Sequence, residues 1–166
     1  PPIEREADRY AADLLLPRYL FAPLARQHHR PTIKAVRELA DAFDVSFTAT
    51  AFRLVESRHS PAMLICHGPK GRKWFTRSPD VPERWFPQQQ LDPESFAFDL
   101  LFGRSDEQQQ PRLIGADAWF DRHEAQRYEL YEQSVRTADD EILTILLLND
   151  GDMLEDWGSR SMRRTP

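Results

Sequence analysis

The sequence predicts an α+β fold, with a helical N-terminal part followed by an α+β domain built on an antiparallel sheet. Three observations carry this expectation. Through the first third of the chain, apolar residues recur at the 3.6-residue spacing of amphipathic helices. Beyond residue 60 the apolar runs shorten and fill with β-formers. Two pairs of these runs are separated by turn-forming tripeptides, "PKG" at 69–71 and "ADD" at 138–140, which suits antiparallel hairpins.

The opening stretch "IEREADRYAADLLLP" places Ile3, Ala7, Tyr10, Ala11, Leu14 and Leu15 on one helical arc. Glu4 falls within that arc, whereas Glu6 lies outside it and Arg5 and Arg9 face away. A buried carboxylate needs a cation, a metal or strong donors. Glu4 therefore either meets such a partner or stays wet in the first helical turn, where its charge suits the helix dipole. Pro17 permits a new start, and "RYLFAPLARQ" continues with Pro23 as an expected kink or break. Thr32 can cap "TIKAVRELADAF", whose Ile33, Val36, Leu39, Ala40 and Phe43 form a stripe. After the turn "DVS", Ser46 can cap "FTATAFRLVES".

"PAMLICHG" and "RKWFTRS" read as two strands around the first hairpin. Four prolines between Pro79 and Pro93 predict an irregular segment. Asp92 and Ser95 offer starts for a helix over "PESFAFDLLFG", closed by Gly103, and "SDEQQQP" is a polar loop. "RLIGADAWF", "QRYELYEQSVRT" and "EILTILLLND" are read as three further strands. The near-continuous apolar run of the last predicts a central strand covered on both faces. The expected division is 1–59 as the helical module, 60–157 as the α+β domain and 158–166 as a basic, disordered tail.

Composition narrows the function classes. At 166 residues the chain is long enough for a real core, and 40% hydrophobic with 30% charged residues is ordinary for a globular protein. The net charge of -5 argues against broad affinity for nucleic acid. Cys66 is the only cysteine, so an internal disulfide and a four-cysteine zinc site are excluded. That cysteine usage suits a cytoplasmic setting. No apolar run approaches the roughly 20 residues that span a bilayer, so no membrane partner is expected.

The succession Glu4, Ala7, Tyr10, Ala11, Ala12, Leu14, Leu15, Leu16 and Pro17 resembles the segment that follows the zinc motif in the ImmA/IrrE family of metallo-endopeptidases. "LADAFDVSFTATAFRL" looks like the helical pair after it. "WF", "YEQS" and "DDEILTILLL" look like the longer members with an added sensor-like α+β domain. The resemblance implies a zinc-dependent, cytoplasmic regulator of transcription or stress response that cleaves or inactivates a DNA-bound repressor. It implies a zinc held by two histidines of an HExxH helix and by one downstream carboxylate. That carboxylate maps onto Glu4, with Glu6 as the fallback. No HExxH occurs in these residues. "HEAQR" at His123 ends in Arg127, which cannot replace an imidazole. The chain is therefore expected to be inactive as a peptidase by itself, being either the portion downstream of the HExxH in a longer protein or a shortened, inactive member. An uncovered apolar surface around Ala7, Ala11 and Leu14 would then invite self-association.

Other residues offer competing readings. "ELADAFDVSFTATAFRL" has the outline of a helix-turn-helix that could direct Thr48, Thr50 and Arg53 toward a DNA groove; two helices packed for their own core give the same pattern. Trp74, Trp119, Glu132 and Ser134 could line a small-ligand pocket in a sensor domain, or serve core packing. "GPKGRKWFTR" interleaves basic and aromatic residues and could contact nucleic acid, or form a solvated hairpin tip. Cys66 beside His67 is expected to be a buried thiol, since neighbours on a strand point to opposite faces.

Overall fold

The structure, a computed structural model, describes residues 2–57, 60–103, 105–107 and 110–155, with backbone only for residues 2, 4, 5, 8, 12 and 13. Helix α1 spans Pro2–Leu15 and α2 Arg18–Ala25. Helix α3 spans Ile33–Phe43 and α4 Phe47–Glu56. The hairpin of β1 (Ala62–Gly68) and β2 (Gly71–Arg77) follows, then α5 (Phe96–Phe102). The chain continues through β3 (Arg112–Gly115), β4 (Glu129–Ala138), β5 (Glu141–Leu147) and the short α6 (Gly151–Leu154). The strands form one antiparallel sheet in the order β2-β1-β5-β4-β3. The fold is α+β, with helices preceding the sheet as the sequence predicts.

Local chemistry accounts for most element boundaries. The Thr32 hydroxyl accepts the Ala35 N–H at 3.1 Å, and Ser46 accepts the Ala49 N–H at 3.2 Å. Each satisfies an amide that the first helical turn would leave without a partner. Helix α3 ends on Asp44 in the left-handed conformation, φ 52°, a state that Asp tolerates better than most residues. Ser95 caps α5 through the Phe98 N–H. At the start of β2, Gly71 adopts φ +125°, and a Cβ there would fall 2.8 Å from Gln89 Nε2. Glycine is required at this point both by its backbone conformation and by the close approach of Gln89.

β5 lies at the centre of the sheet and is buried along nearly its whole length. Against one sheet face, Leu64, Leu143 and Ile145 pack on Phe21, Val36 and Phe52 of α2, α3 and α4. Against the other, Met63, Ile65 and Leu146 pack on Trp85, Leu100 and Trp119. The helices of the first third and the sheet thus share one hydrophobic cluster. The Ile33 N–H donates to the buried Gln133 side chain at 2.9 Å, tying α3 to β4.

Three local expectations are corrected. Pro23 does not break the second helix, which runs through it to Ala25. Its ring lies on the exposed side, while Phe21 and Ala25 hold the helix to the core. "RLIGADAWF" is a strand only as far as Gly115; Ala116–Ala118 is a 3-10 turn, with Trp119 and Phe120 N–H both donating to the Ala116 carbonyl. This turn buries both aromatic rings on the same sheet face, which an alternating strand would split. Likewise Gln126 and Arg127 belong to a 3-10 turn before β4. The tail over 158–166 and His59 lie outside the described residues. Among the described residues no helix is long and apolar enough to cross a membrane.

Candidate functional site

The motif-bearing segment forms α1. Leu16, just beyond its end, is fully buried, and half-buried Ala11 packs against the cluster formed by α2–α4 and the sheet. Arg9 reaches Glu56 of α4 at 3.6 Å. The rest of the apolar arc faces outward: Ile3, Tyr10, Leu14 and Leu15 are 78%, 66%, 59% and 55% exposed, and Ala7 is exposed beside them. Tyr19 and Leu20 of α2 extend this exposed apolar set. Glu4 lies in the first turn, and its side chain is outside the described residues. Glu6 is exposed.

Among the described residues no three His, Cys, Asp or Glu side chains converge as a metal site. His28 is half-buried beside Glu38, at 3.6 Å, and His29 is exposed. The segment His123–Arg127 is a 3-10 turn with Glu124 held by Arg122 at 2.8 Å. It lacks the α-helical geometry that places positions i and i+4 on one face. The residues described in this chain therefore do not fit a zinc centre by themselves.

The helix-turn-helix reading places its side chains differently from the structure. Thr50 is fully buried and its hydroxyl donates to the Ser46 carbonyl at 2.9 Å; Arg53 is also buried. Thr48 is half-buried. The residues of α4 that would have to enter a groove are instead buried in the protein, together with Ala49, Phe52 and Val55 of the same helix.

The four residues considered for ligand binding separate across the sheet. Trp74 stacks on Phe52 of α4, with ring centroids 4.9 Å apart. Trp119, Glu132 and Ser134 lie together on the opposite face. Glu132 Oε1 accepts the Ala97 N–H at 2.7 Å, and Oε2 accepts Trp119 Nε1–H at 3.0 Å. The carboxylate thereby ties the first turn of α5 and the turn around Trp119 to the middle of β4. Burial pushes the Glu132 pKa up, against the pull of these donors. Ser134 and Thr144 share a hydrogen bond of 2.7 Å across β4 and β5.

His67 joins this cluster, although its surroundings cannot be read from the sequence. It is fully buried and packs edge-on against Trp119, centroids 5.8 Å apart. Neither ring nitrogen has a hydrogen bond of ordinary geometry among the described residues. Burial pushes its pKa down to about 4; the nearby Gln88 backbone opposes the shift and the Arg72 charge adds to it. At neutral pH the ring is therefore uncharged. Cys66, its strand neighbour, faces the other side, buried. Burial, then the Glu141 charge, push the thiol up to about 12, so it is not a nucleophile at neutral pH.

No family model matches the chain, and no curated protein matches it.

Proposed function

We propose that this chain is the portion following the HExxH motif of a zinc-dependent, endopeptidase-like regulator of transcription or stress response, which acts by cleaving or inactivating a repressor protein. The observation that carries this reading is the motif helix itself. α1 bears the EREADRYAADLLLP pattern, and it packs on the body through Ala11 and the adjoining Leu16 while leaving Ile3, Ala7, Tyr10 and Leu14 exposed. An apolar face of that kind is what a preceding catalytic segment would cover. The zinc would take its histidine ligands from outside these residues, with Glu4 as the carboxylate ligand and Glu6 as the fallback. In this reading the setting is cytoplasmic, and the 166 residues alone do not cleave a repressor. The burial of Thr50 and Arg53 weighs against DNA binding through α4.

The coding sequence upstream of Pro1 provides the first test. An in-phase HExxH there supports the peptidase reading, and a native start at Pro1 supports a non-enzymatic module. In a longer protein, Glu4→Gln should lower zinc affinity and proteolysis together without unfolding the chain, while Glu6→Gln should change neither. Equal zinc affinity in the two variants would remove Glu4 from the site.

A further inference from the structure

The outer edge of β2 is sealed at one end and open at the other. Near the hairpin, the Arg72 N–H donates to the Gln89 carbonyl at 2.7 Å, the Gln89 side chain donates to the Arg72 carbonyl at 3.1 Å, and the Gln90 side chain donates to the Lys70 carbonyl at 3.1 Å. Farther along, Ser78 N–H donates to the Ala62 carbonyl at 2.8 Å. The register Leu64↔Thr76 and Cys66↔Trp74 continues that alternation. Hence Trp74, Thr76 and Ser78 direct their backbone groups toward β1, and Phe75 and Arg77 direct theirs away from it. Among the described residues, nothing hydrogen-bonds to the backbone of Phe75 or Arg77.

An open groove of about 420 Å³ lies beside this edge, lined by Phe75, Thr76, Arg77, Glu83 and Phe86. Phe86 is 55% exposed and meets Phe75 edge-on, centroids 5.0 Å apart. Arg72 lies over both rings, at 5.3 and 4.8 Å from their centroids, and Arg77 lies 5.2 Å from that of Phe75. Arg72 also donates to the Pro87 carbonyl, and Arg77 to the Pro82 carbonyl at 2.8 Å. Both guanidinium groups are thus oriented by neutral partners. Among the described residues neither forms an ion pair with a carboxylate. Glu83 stands exposed on the groove rim and is not within ion-pairing distance of either. Glu83 acts on Arg77 through its charge, so with Arg72 the edge carries two guanidinium groups against one carboxylate, on a chain of net charge -5.

We propose that the open edge of β2 receives an extended acidic segment of a partner protein as an added strand, its backbone pairing with Phe75 and Arg77 and its carboxylates meeting Arg72 and Arg77. Unpaired edge groups supply the affinity in strand addition, and the flanking side chains supply the selectivity. Carboxylates on the facing side of the segment would complete the two guanidinium groups with charge-assisted hydrogen bonds, their short stems resting against Phe75 and Phe86, while its apolar residues alternate to the other side. An uncapped edge of this kind also risks pairing with a second copy of the chain, a possibility the test must separate.

The probe is a fluorescent peptide alternating aspartate and valine, titrated with the 166-residue chain and read by anisotropy. Saturable binding that weakens with salt is expected. A lysine-for-aspartate peptide, and the acidic peptide N-methylated along its backbone, should each bind about tenfold more weakly or worse. Arg72→Gln and Arg77→Gln should each weaken binding of the acidic peptide. In the unmodified chain, the Phe75 and Arg77 amides should gain protection from hydrogen exchange when the peptide is added, a readout that does not depend on any variant folding. The proposal is overturned by absent saturation, by equal binding of the N-methylated or lysine peptide, or by Phe75 and Arg77 amides that do not respond. Sedimentation showing that the chain dimerises, with the acidic peptide breaking the dimer, would make the occupant a second copy and overturn it as well.

Discussion

Replacing Glu132 tests whether one carboxylate holds α5 and the Trp119 turn on the sheet. In Glu132→Leu, the Ala97 N–H and Trp119 Nε1–H both lose their acceptor within the protein interior. Each donor left unsatisfied costs about 1–3 kcal/mol. Removing a carboxylate that burial already penalises returns part of this. The net expectation is a loss of about 2–4 kcal/mol for Leu, and about 1–2 kcal/mol for Gln, which keeps one carbonyl acceptor. Urea unfolding followed by tryptophan fluorescence measures both. The pH dependence gives a second reading. The folded pKa of Glu132 is raised above the usual 4.5, so folding takes up a proton there. The associated stability is fully present below about pH 4.5 and is lost as pH rises through the raised folded value. The advantage of wild type over Glu132→Gln should therefore shrink with rising pH across that window. A Leu variant as stable as wild type at neutral pH would refute the reasoning, since it would mean that desolvation of the carboxylate outweighs both hydrogen bonds.

Three other measurements probe separate parts of the fold. Gly71→Ala should destabilise by about 1–3 kcal/mol, because φ +125° is strained for a residue with a Cβ and that atom would meet Gln89; a neutral result in chemical denaturation would contradict the close approach. Thr32→Ala and Ser46→Ala should each cost about 1 kcal/mol; a loss of only a few tenths at either site would mean that its cap bond contributes little. Cys66 should resist alkylation at pH 8 in the folded chain and react on unfolding, since its thiol is buried and held up at about 12. Labelling of the native chain at the rate of a free thiol would show that this strand opens.

The residues that act within one or two turns of themselves were legible in the sequence. Thr32, Ser46 and Ser95 announce helix starts because the amide each satisfies lies three residues away. The hairpin at Pro69 and Lys70, and the buried run of β5, follow from turn chemistry and from apolar pattern alone. That Glu132 and Ser134 share a face, with Gln133 on the other, follows from the period of a strand alone. What these residues meet was decided by tertiary structure. Gln133 finds a donor 100 residues away in α3, and Glu132 finds donors from Ala97 and Trp119. Trp74 and Trp119 are alike in sequence character, yet the sheet places them on opposite faces. Thr50 and Arg53 fit the outline of a groove-reading helix until packing buries both of them, Arg53 beside Phe21 and Ala22 of α2. Likewise "AWF" has strand composition, but burying both Trp119 and Phe120 on one side requires a tight turn. The open edge of β2 depends on strand order, which sets β1 between β2 and β5 and leaves Phe75 and Arg77 facing outward. Local hydrogen bonds and periodicity are written within a few residues of sequence. Strand order, buried polar pairing and exposed edges are settled by which distant segments exclude water together.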